Sequence, residues 1–89
     1  MKVFLSSIAK NDIRLLMRVF NAEKENKGID FLESLHESIR EIQQYPDLSQ
    51  AEYQEVMVYK AKDFPVHIHY LLENQESLFI TAIFKELQQ

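Results

Sequence analysis

The sequence predicts an α+β domain in the order β-α-α-β-β-β, with a helical hairpin packed on one face of a small, antiparallel-rich twisted sheet. Three observations carry this. Apolar residues recur at helical spacing through the first half of the chain, they alternate at every second position from Phe64 onward, and the helical and strand patterns occupy separate stretches.

Val3 and Leu5 mark a short opening strand, after which Ser6 or Ser7 is placed to cap a helix by accepting one of its free N–H groups. Ala9, Ile13, Leu16 and Phe20 fall at i, i+4, i+7 and i+11 with Met17 beside them, which predicts a helix over about residues 8–25 with one buried stripe. Gly28, the only glycine, reads as its C-terminal cap. A second helix is expected from Ile29 or Asp30, with Phe31, Leu32, Leu35, Ile39 and Ile42 inward, stopped at Tyr45-Pro46 because the residue before proline avoids helical geometry. Residues 46–52 read as a connector. A strand follows over 53–62, with Met57, Tyr59 and Ala61 on one face and Val56, Val58, Lys60 and Lys62 on the other.

Pro65, lacking an N–H, fits the opening of the next strand. Phe64, Val66, Ile68, Tyr70 and Leu72 point to the core, and His67, His69 and Leu71 point away. Residues 73–76 form a polar turn of hairpin length. Strict alternation in the last strand places Leu78, Ile80, Ala82 and Phe84 on one face and Phe79, Thr81, Ile83 and Lys85 on the other.

A chain of 89 residues is read as a single domain spanning 1–89, large enough to fold around its own core. With no cysteine it has no disulfide framework, thiolate nucleophile or sulfur-ligated metal site. No apolar run approaches the roughly 20 residues that span a bilayer, and the N-terminus lacks signal-peptide character, so a cytoplasmic protein without membrane contact is expected. A formal charge of −4 argues against a general nucleic-acid binder, because such proteins draw affinity from many cations.

The open sheet face holds the candidate functional residues. His67 and His69, two apart on a strand, project together about 7 Å apart at the backbone. A metal site would need further ligands that the spacing does not supply, so no metal and no cofactor are expected. Val56, Val58, Leu71, Phe79 and Ile83 are apolar on a face that should meet water, and an exposed apolar patch on a small domain marks a protein interface.

Motifs along the whole chain resemble the RelE/ParE superfamily of type II toxin–antitoxin toxins. They are Ser6, Ala9, Asp12 and Ile13 after the opening strand, Phe31, Leu35, Ile39, Ile42 and Pro46 in the second helix, Phe64, Pro65, Ile68 and Tyr70, and the closing run Ile80-Thr-Ala-Ile-Phe84. The resemblance implies a toxin bound by a cognate antitoxin through the apolar set, with DNA gyrase or the ribosome as target. It also implies strand pairing that gathers Lys60, Lys62 and Lys85 beside His67 and His69 as target contacts. Ribonuclease members continue the last strand with titrating and basic residues, where this chain has Lys85, Glu86, Leu87, Gln88 and Gln89. That departure favours the gyrase-directed ParE type over a ribosome-dependent endoribonuclease and leaves no catalytic residue assigned. A non-toxic binding module of the same fold is the remaining alternative.

Overall fold

The computed structural model describes residues 1–44 and 55–87. The elements are β1 (Lys2–Leu5), α1 (Ser7–Glu23), α2 (Lys27–Gln44), β2 (Met57–Lys60), β3 (Val66–Asn74) and β4 (Ser77–Lys85). The four strands form one sheet in the order β1-β4-β3-β2, with β1 parallel to β4 and the other pairs antiparallel. The expected class and element order are therefore those of the structure. The predicted connector at 46–52, the Tyr45-Pro46 stop and the first two residues of the strand expected at 53 lie outside the described residues.

The core lies between the helices and the sheet. Ala9, Leu16 and Phe20 of α1 and Phe31, Leu35 and Ile42 of α2 meet Val66, Ile68 and Leu72 of β3 and Leu78, Ile80 and Ile83 of β4. Phe20, Phe31 and Phe64 form an aromatic triangle with ring centroids 5.1–5.8 Å apart, in the tilted and edge-on arrangements that aromatic pairs favour. Phe64, ahead of β3, thus fastens the β2–β3 turn to both helices. That turn is also held by α2, where the Ser34 hydroxyl donates to the Lys62 carbonyl and Ser38 Oγ accepts the Lys62 N–H at 3.4 Å.

The helical hairpin turns differently from the sequence expectation. Helix α1 ends at Glu23, and the left-handed residue of the turn is Asn26 at φ 64°, a conformation asparagine tolerates. Gly28 is not a cap; it is buried in the first turn of α2, its N–H donating to Asn21 Oδ1 at 2.8 Å. A Cβ there would lie 2.7 Å from the Met17 carbonyl oxygen, so glycine is required by the close approach of the two helices.

The second difference decides the face of the last strand. In the β3–β4 register His69 opposes Ala82 while Tyr70 opposes Ile80, so Thr81 is an extra residue in β4. Such a bulge reverses the alternation beyond it. Ile83 consequently enters the core at 2% exposure, and Phe84 faces outward at 52%. Helix α1 secures the bulge. Ser6, its N-cap, accepts the Ala9 N–H and donates its hydroxyl to the Thr81 carbonyl at 2.7 Å, while Asp12 accepts the Ile83 N–H at 2.9 Å.

Candidate functional site: the open sheet face

The face of the sheet away from the helices is built from cross-strand rows. Register sets Lys60 beside His67 and His67 beside Phe84; one row on, Val58 stands beside His69 and His69 beside Ala82. Leu71 stands beside Phe79, and Phe79 beside Phe4 of β1. Val56, Val58, Phe4 and Phe84 are each 46–53% exposed, with Leu71 and Phe79 half-buried among them. The result is an apolar surface crossed by two imidazoles.

Charge at this face is balanced from within. Glu86, just beyond β4, shares one carboxylate oxygen between His67 Nε2 at 2.6 Å and Lys60 Nζ at 3.4 Å. The hydrogen bond from His67, and the Lys60 ammonium after it, hold the Glu86 carboxyl below its ordinary pKa. His69 packs edge-on against the Phe84 ring, with centroids 4.7 Å apart. A carboxylate that orients a histidine is one half of an acid–base arrangement. Here it also occupies Lys60, the cation that would steady a phosphate, so the cluster suits a neutral or mildly polar partner surface better than a polyanion.

The expected convergence of three lysines is corrected. Past the bulge Lys85 lies on the helix side, 3.2 Å from Glu23 and 5.5 Å above the Phe20 ring. Lys62 stands in the β2–β3 turn, exposed, with its backbone tied to Ser34 and Ser38. Only Lys60 of the three joins His67 and His69. Ile83 likewise leaves the apolar set, because it is core. Among the described residues no three metal-ligating side chains gather.

No protein-family model matches the sequence, and no curated protein matches it. A solved chain of the chromosomal ParDE TA system from P. aeruginosa superposes over 98% of this chain and 97% of its own, with a TM-score of 0.78 and 12% sequence identity. The fold is RelE/ParE-like.

Within that RelE/ParE-like fold, sequence reasoning missed three members of the open face. Phe4 was legible, since it alternates with inward Val3 and Leu5. Phe84 and Glu86 were not, because both face outward only through the bulge. A separate cleft of about 360 Å³ lies between β1 and α2, floored by Val3, Leu5 and Ile39 and rimmed by His36, Arg40 and Gln43. No helix among the described residues is long and apolar enough to cross a membrane.

Proposed function

We propose that this protein is the toxin of a type II toxin–antitoxin system, of ParE type. In this reading it acts by binding a macromolecular target, DNA gyrase, and is silenced by a cognate antitoxin. The single observation that carries the reading is the whole-chain likeness to a chain of a ParDE system. The open face agrees with it. Val56, Val58, Leu71 and Phe79, joined by Phe4 and Phe84, form the antitoxin contact, and Lys60, His67 and His69 the polar contacts to the target. The gyrase-directed mode is preferred to messenger cleavage because Glu86 pairs with Lys60 and hydrogen-bonds His67, and Lys85 is held by Glu23, which leaves little free charge to stabilise a scissile phosphate.

Expression of the protein alone, compared with co-expression of the product of an adjacent small gene, tests this. Filamentation and DNA damage that the neighbour suppresses are expected. Rapid loss of translation instead indicates the endoribonuclease, and normal growth indicates a non-toxic module.

A further inference from the structure

Helix α1 has a second apolar row that the domain does not use. Ile8, Leu15 and Val19, at i, i+7 and i+11, are 63%, 48% and 41% exposed, and Ala22 extends the row. It is distinct from the buried stripe of Ala9, Leu16 and Phe20. From Ile8 to Val19 it runs about 16 Å at helical rise, long enough to engage three turns of another helix.

Its two flanks differ in charge. On one side stand Asp12 and Glu23, both committed within the molecule: Asp12 to the Ile83 N–H, and Glu23 to Lys27 and Lys85 at 2.9 and 3.2 Å. On the other side stand Arg18, one turn from Leu15, and Arg14, one turn before Arg18, both exposed and neither with an ion-pair partner among the described residues; Lys10 is turned to the far side of the helix. Two exposed cations beside the apolar row, on a protein of net charge −4, make a directional surface.

We propose that this face of α1 seats an amphipathic helix of a protein partner, with apolar anchors against Ile8, Leu15 and Val19 and an acidic flank against Arg14 and Arg18. A second copy of the chain fits less well. An antiparallel two-fold pair of α1 helices would set the cationic flank against its own copy, and like charges facing one another are unfavourable. The site is separate from the open sheet face, and its test involves neither toxicity nor a cellular target.

The probe is a synthetic three-turn amphipathic peptide with leucine anchors and a glutamate flank, titrated into the intact protein and followed by backbone amide shifts. Saturable binding centred on Ile8, Leu15 and Val19 is expected, weakening as salt rises. Leu15→Glu with Val19→Glu should weaken it by roughly 30-fold or more, since both anchors sit at its centre. Arg14→Glu with Arg18→Glu should weaken it roughly tenfold and transfer preference to a lysine-flanked peptide. All four positions are exposed, so both double variants should keep the wild-type amide spectrum elsewhere. The proposal is overturned if the glutamate-flanked peptide does not bind saturably, or if glutamate- and lysine-flanked peptides bind alike. It is equally overturned if anionic phosphatidylglycerol vesicles take up the face in preference to the peptide, or if the protein is a dimer that Leu15→Glu dissociates.

Discussion

Ile83→Ala and Phe84→Ala, made separately, ask which of two neighbouring residues belongs to the core. Strict alternation from Leu78 buries Phe84, whereas the bulge at Thr81 buries Ile83. Ile83 is 2% exposed and truncation removes three carbons, each worth about 0.8 kcal/mol of burial, to which incomplete collapse of the cavity adds. The expected loss is about 2–4 kcal/mol. Phe84 is 52% exposed and keeps its inner edge against His69, so its truncation should cost about 1 kcal/mol or less. Urea denaturation followed by circular dichroism gives both values, with unchanged m-values confirming a common transition. Equal losses, or a larger loss at Phe84, would refute the bulge and return the strand to simple alternation. A charge at position 83 belongs to the same test: Ile83→Asp should unfold the domain, so the proposed interface is to be probed with Val58→Asp and Phe84→Asp, which should leave the monomer folded and weaken binding of the antitoxin proposed above.

Asp12→Ala removes the acceptor of the Ile83 N–H and should cost about 1.5–3 kcal/mol, with faster hydrogen exchange at the Ile83 amide, while Asp12→Asn recovers part of the loss. Gly28→Ala should cost about 1–3 kcal/mol in the same denaturation assay, because the added methyl meets the Met17 carbonyl oxygen and Asn21, although alanine is the better helix former. Lys27 first and Lys85 second hold the Glu23 carboxyl below its ordinary pKa, so its contribution is present above about pH 4.3, the unfolded value, and fades as pH falls through the lower folded one. The wild type should therefore lose a small, salt-sensitive increment of stability on acidification that Glu23→Gln lacks. Tyr59 behaves in the opposite sense. Its hydroxyl donates to Glu41 and its pKa is raised first by that bond, so the stabilisation is present below about pH 10 and is lost as pH rises through the folded value; alkaline absorbance titration of wild type against Glu41→Gln reads it.

What the sequence made legible follows from how local each cause is. The inward series Phe64, Val66, Ile68, Tyr70 and Leu72 needs only the period of a strand, and it keeps its face throughout. The stripes of α1 and α2 needed only helical period. The bulge was illegible because Thr81 and Ala82 are ordinary strand residues; what stabilises the extra residue is Ser6 and Asp12, some 70 positions away. The same distance hid the fate of Lys85, Phe84 and Glu86, whose faces all depend on it. Gly28 was misread for a related reason: a lone glycine after a helix resembles a cap, and only the approach of the two helices reveals that its missing Cβ is the point. The apolar residues Val58 of β2 and Leu71 and Phe79 of the β3–β4 hairpin were legible as surface because each keeps the face that simple alternation gives it, the register shift between Leu72 and Asn74 lying outside the run that pairs Leu71 with Phe79.

The position of β4 has a consequence for how the molecule comes into being. It lies between β1 and β3, so the seam that adds the edge strand β1 joins residues 2–5 to residues 77–80, nearly the length of the chain apart. Until Ser77–Lys85 has left the ribosome, β1 has no neighbour, β3 has one bare edge, and the apolar stripe of α1 has no floor. Closure of so long a loop is slow and favours a late, concerted assembly. Nascent chains halted before β4 would expose both helices' apolar faces, and a release of partly made polypeptide would yield substrates for proteases and chaperones in place of folded protein.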